Sequence, residues 1–118
     1  MMKYTMNNNE MHIESFADEA PLTYLFGNSA RVKIIGAFIA DAGRELSVSE
    51  IARRAGVARS TVYEHLDHLE HMNVIVHTRD SREGHSPMYQ FNEDSELGTV
   101  LYQLEGYALE QLMESDHF

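Results

Sequence analysis

The sequence has no cysteine, which excludes disulfides and thiolate metal sites. Lysine is scarce: two lysines accompany seven arginines, and Asp and Glu outnumber Lys and Arg by 19 to 9. No apolar run approaches the length that spans a bilayer, and no signal-peptide pattern is present, so a soluble, cytoplasmic protein with no membrane partner is expected. Catalytic constellations are missing too. There is no nucleophile within a recognisable elbow, no glycine-rich phosphate loop and no metalloprotease motif, which argues against an enzyme and against a cofactor. The first stretch, residues 1–14, holds Met1-Met2 and Asn7-Asn8-Asn9 among few apolar side chains and reads as a disordered N-terminal segment. The remaining length suits one domain with a modest core and appended helices.

What is present is concentrated between Ser47 and Glu70. Ser47 and Glu50 have the spacing of a capping box, in which each side chain satisfies an orphan amide at a helix start, so a helix begins at about Val48. Ile51, Ala52 and Ala55 give that helix a small apolar face. Gly56 then supplies the positive φ at which a chain stops and turns, and Val57 fills the corner. A second helix follows, with Val62, Leu66 and Leu69 at i, i+4 and i+7 as its buried stripe. Arg59, Ser60, Tyr63, Glu64 and Asp67 are left facing outward. Two short helices hinged at a glycine make a helix-turn-helix, a unit that reads DNA or, in its other use, docks a protein.

The string Gly56-Val57-x-x-Ser60-Thr61-Val62-x-x-His65-Leu66-x-x-Leu69, with the hydrophobic run after it, resembles winged-helix transcription regulators of the MarR and ArsR type. The resemblance implies that Arg59, Ser60, Thr61, Tyr63 and Glu64 meet the major groove or flanking phosphates of double-stranded DNA, while Val62 and Leu66 are core positions. Ala58 departs from the pattern, because it stands where the family has a capping Ser or Thr. Losing that cap, ~1 kcal/mol, leaves the first turn of the recognition helix less rigid until a phosphate docks on it.

Beyond Met72-Asn73, the run Val74–Arg79 is β-branched and alternating, and Met88–Asn92 is a second such run with Tyr89 and Phe91 on one face. Asp80 to Pro87, between them, is rich in turn formers, with Gly84 near the apex. The pair is a β-hairpin, the wing of the resemblance. Arg79, Arg82 and His85 lie on or beside its tip, where a wing touches phosphates or enters the minor groove. Arg82 paired with Asp80 or Glu83 on a solvated loop is the alternative.

A net charge of −10 opposes nucleic acid unless it is unevenly spread. Residues 1–29 carry −3, residues 30–92 carry eight basic and eight acidic side chains, and residues 93–118 carry seven acids and no base. Arg53, Arg54 and Arg59 cluster around the turn, and Arg79 and Arg82 on the hairpin, which is the local footprint a phosphate backbone asks for. The acidic excess with few lysines also resembles proteins of salt-loving archaea. In molar salt the counterion-release part of DNA affinity nearly vanishes. An acidic protein of ordinary habitat has the same composition.

The two ends of the chain read as helices. Pro21–Phe26 has proline in a first turn and Gly27 as its stop; Asn28 or Ser29 caps the next helix, whose stripe is Val32, Ile35, Phe38 and Ile39 and whose end is Gly43. From Ser95 to about Glu114, Leu97, Leu101, Leu104 and Ala108 recur in steps of four and three, a coiled-coil seam widened by Val100 and Tyr107. Free of basic residues, this helix should point away from DNA and pair with its twin, joined by Leu22, Leu25 and Phe26. Folding back over the chain's own helix is the alternative.

His65, His68 and His71 invite a metal reading, but i and i+6 are too far apart on a helix for all three to share one ion, and no metal ligand set is assigned. The expected fold is therefore α+β, mostly α: a winged helix-turn-helix over residues 15–92 with an N-terminal helical extension, a two-stranded hairpin wing, and an acidic C-terminal dimerisation helix over 93–118. The expected function is a homodimeric DNA-binding transcriptional regulator. A protein-interaction winged helix of the transcription machinery and a metal-sensing repressor are the alternatives, and the residues name no effector.

Overall fold

The computed structural model describes residues 20–80 and 86–115. The N-terminal segment 1–14, the wing-tip residues Arg82, Gly84 and His85, and Asp116 and His117 lie outside the described residues.

Helix α1 (Pro21–Phe26) opens on a proline whose missing N–H costs nothing there, and closes at Gly27, with φ of 89°. Ser29 caps α2 (Ala30–Ala40), its Oγ accepting from the Val32 amide at 3.3 Å. Ile34, Ala37, Phe38 and Ile39 are the buried positions of α2, while Val32 and Ile35 pack at the rim of the core. Gly43 does not end this helix: Asp41 is its C-cap, and Gly43, with φ of 93°, makes the turn that follows.

Both bonds of the expected capping box are present at α3 (Val48–Ala55). The Glu50 amide donates to Ser47 Oγ at 3.2 Å, and the Ser47 amide donates to Glu50 Oε1 at 2.8 Å. Gly56 ends α3 in the left-handed conformation, φ 72° and ψ 38°, and gives its N–H to the Ala52 carbonyl. α4 (Arg59–His71) follows, with Ala58 at its N-cap and no side-chain cap bond. Val62, Leu66 and Leu69 are its buried residues, as the spacing predicts.

Strands β2 (Ile75–Asp80) and β3 (Pro87–Phe91) form the expected antiparallel hairpin, with a register shift between His77 and Arg79. The sheet has a third member that the sequence did not announce. β1 (Leu46–Ser47) pairs with β3, Leu46 opposite Tyr89 and Ser47 opposite Met88, so the sheet order is β1-β3-β2. Leu46 is fully buried and anchors that edge, while Ser47 both closes the sheet and caps α3. The wing is thereby tied to the start of the helix-turn-helix. Phe38, Ile34, Leu46, Ile51, Ile75 and Val62 are the largest fully buried side chains, and each contributes roughly 1.5–3 kcal/mol by leaving water.

α5 (Glu96–Glu114) is capped by Ser95, whose Oγ accepts from the Gly98 amide at 2.9 Å and donates to the Asn73 carbonyl at 2.7 Å. A Cβ at Gly98 would collide with the Asn92 carbonyl, so glycine is what lets the helix begin this close to the wing. The helix then runs along α1, with Leu101 and Leu104 packed on the chain's own core and Ala108 buried.

Candidate nucleic-acid interface

α4 turns one face to solvent. Arg59, Ser60, Glu64 and Asp67 are exposed, Tyr63 is 51% exposed, and Thr61 is half-buried beside them. They stand opposite the Val62-Leu66-Leu69 stripe that pins the helix to α2 and α3. Because Ala58 offers no cap, the first amides of α4 carry the positive end of the helix dipole toward solvent, next to Arg59. Such a terminus suits an oxyanion.

The arginines named from the sequence divide into two kinds. Arg53 and Arg59 are exposed and have no ion partner among the described residues. Arg54 is held instead by the C-cap of α2: its Nη1 lies 2.7 Å from Asp41 Oδ2, with the Asp41 side chain only 13% exposed, and Arg44 approaches the other oxygen at 3.3 Å. Arg79 is held in the same way, with Nε and Nη2 both 2.9 Å from Glu45 Oε1. Asp41 and Glu45, which precede β1, thus neutralise two of the five arginines that the sequence places around the turn and on the hairpin.

Sequence reasoning missed Arg31. From the first turn of α2 its guanidinium reaches two rings of α4, Nε to His65 Nδ1 at 3.0 Å and Nη2 to His68 Nδ1 at 2.9 Å. An Nδ1 that accepts from guanidinium must be unprotonated, so both rings are neutral in this arrangement. Partial burial and the neighbouring Arg31 charge push His65 below the ordinary histidine range. This also bears on the metal reading: both Nδ1 atoms are engaged, and no group of three or more ligand residues that could hold a metal ion exists among the described residues. Only the sequence separation of 34 and 37 residues hid the cluster, since nothing local marks a pair made by packing.

The proposed interface residues at the two ends of the chain divide as well. Leu22, at 2% exposure, belongs to the core, Leu101 and Leu104 pack on it, and Ala108 is buried where α5 crosses α1. For these four the expected exposure is corrected, because the seam has an inner side that the chain covers itself. Leu25, Phe26, Leu97, Val100 and Tyr107 remain exposed, Phe26 at 62% and Tyr107 at 68%. No helix among the described residues is long and apolar enough to cross a membrane.

Residues 33–79, from α2 through most of β2, match the model of the IclR helix-turn-helix domain. This match supports a helix-turn-helix DNA-binding domain and leaves the MarR or ArsR resemblance of the string as an expectation. Among solved structures, reduced HlyU from Vibrio cholerae N16961 aligns with a TM-score of 0.50 at 20% identity, over 75% of this chain and 84% of that one. No curated protein matches the sequence. With the helix order and the antiparallel sheet, these findings make the fold a winged helix-turn-helix with a C-terminal helix appended.

Proposed function

We propose that this chain is a transcriptional regulator that reads double-stranded DNA as a homodimer, with α4 in the major groove and the wing on the backbone or in the minor groove. The observation that carries the reading is the outward face of α4. An uncapped helix start, a free Arg59 and the hydrogen-bonding side chains of Ser60, Tyr63 and Glu64 support a DNA-reading role for that face, and a free Arg53 at the end of α3 adds positive charge near the turn. Retention of fragments of the source genome by the full chain, followed by sequencing, tests it: a shared motif supports the proposal, and fragments without one refute sequence-specific reading.

The exposed apolar side chains of α1 and α5 support the dimer. Phe26, Val100 and Tyr107 are exposed on the packed α1–α5 helix pair, whose C-terminal part carries the acidic end of the chain. A second reading, a winged helix that docks a protein partner, is favoured by the Asp41 and Glu45 ion pairs, which remove two arginines from any backbone contact. The two readings separate on Arg59, which a protein-docking module would not need for DNA.

A further inference from the structure

The Arg31, His65 and His68 cluster links α2 to α4 outside the buried core, and its chemistry is conditional. Arg31 is exposed, His68 is exposed and His65 is half-buried, so the bonds lie at the surface, on the side of α4 next to its recognition face. While both rings are neutral, their Nδ1 atoms are the acceptors for the guanidinium. Once either ring takes a proton, its Nδ1 becomes a donor and faces another donor. The charged or titratable neighbours that bear on His65 are Arg31 from α2 and His68 and Glu64 from α4. Glu64 is the sole acid of that group, and it is one carboxylate against three potential cations.

We propose that Arg31, His65 and His68 form a proton-gated phosphate site: neutral rings occupy the guanidinium, and protonated rings join it in presenting convergent donors that an oxyanion bridges. The site lies on α4 beside Glu64 and Thr61, so a DNA backbone phosphate is the occupant when α4 enters a groove; this part rests on the DNA-reading proposal above. Inorganic phosphate offers the same oxyanion without DNA. Binding then takes up protons, and affinity rises as pH falls through the histidine range, opposite to the effect of simply weakening a fold contact. Thr61 and Ser60, immediately before this edge of the helix, leave the approach to the cluster free of further carboxylates on that turn.

Two measurements on the full chain test the site. In the first, the ring resonances of His65 are titrated by NMR in chloride and in inorganic phosphate at equal ionic strength. Phosphate should raise the His65 midpoint in the parent protein and leave it unmoved in Arg31→Gln; an unmoved midpoint in the parent would overturn the site. In the second, affinity for a DNA duplex is followed from about pH 7.5 to about pH 5.5. The logarithm of parent affinity should climb with a slope approaching about one proton per complex, and His65→Gln/His68→Gln should lose most of that slope. Equal slopes in parent and variant would overturn the assignment of the DNA phosphate to this cluster. Should no duplex bind at any pH while phosphate still moves His65, the DNA reading fails and the phosphate site stands. Should a duplex bind specifically while phosphate leaves His65 unmoved and the slopes agree, the site fails and the DNA reading stands.

Discussion

The helix-turn-helix with its wing and the α1–α5 pair treat charge and apolar surface in opposite ways. Residues 30–92 balance eight basic against eight acidic side chains and bury most of their large apolar groups, whereas residues 93–118 carry seven acids, no base, and leave Val100 and Tyr107 exposed. A surface that approaches phosphates must not repel them, and a surface that meets its own copy must offer area to bury. One net charge of −10 conceals this difference. Even within the neutral half the arginines differ: Arg54 and Arg79 are held by carboxylates of the same fold, and Arg53 and Arg59 are not.

The comparison breaks most visibly at the α5 surface. Val100→Glu with Tyr107→Glu should leave the monomer folded, since both side chains are exposed, yet split the dimer, because each apolar group covered by a twin is worth on the order of 1.5–3 kcal/mol. Light scattering reads the mass, and operator affinity should fall with it as the second recognition helix loses its effective concentration. Leu101→Glu should behave differently and lower monomer stability, because Leu101 packs on the chain's own core. A parent protein that is monomeric at micromolar concentration in high salt refutes the dimer.

On the other side of the comparison, Arg59→Ala should weaken specific DNA binding by about 1–3 kcal/mol if its contact is bidentate to guanine, with thermal stability unchanged. A binding titration decides, and unchanged affinity removes Arg59 from the interface. Ala58→Ser supplies the missing cap of α4 and should stabilise the fold by about 0.5–1 kcal/mol, read as a raised denaturation midpoint.

The smallest effect concerns Glu105, on the half-buried side of α5, whose carboxyl is pushed above its ordinary value by burial. A raised carboxyl means that the folded chain holds its proton more tightly than the unfolded chain. The benefit is present below the ordinary glutamate range and is lost as pH rises through the folded value. Glu105→Gln should therefore raise stability at neutral pH, by less than about 1 kcal/mol given its partial exposure, and leave it unchanged in acid. Denaturant melts at the two pH values check the sign.

Local chemistry explains which features were legible in the sequence. The capping box of Ser47 and Glu50, the left-handed Gly56, the missing cap at Ala58 and the stripe of α4 are all encoded within a few neighbouring residues, and all are found in the structure. Long-range choices were not legible. β1 is two residues long and exists only because β3 passes beside it; Arg31 finds its rings 34 and 37 residues away; and the heptad-like seam of α5 gave an apolar face without saying that Leu101, Leu104 and Ala108 would be covered by the chain itself. The helix-turn-helix was readable because caps and a glycine hinge punctuate it. The arginine partners were not, because Asp41 and Glu45 become neighbours of Arg54 and Arg79 only after the fold closes.

The central claim, one recognition helix per half-site of double-stranded DNA, is tested most directly by footprinting the full chain on genomic fragments that it retains. Protection in two patches about one helical turn apart, roughly 34 Å, with binding blocked by methylation of guanine N7 in the major groove, is the predicted result. A single unpaired patch, or binding indifferent to major-groove methylation, would contradict it.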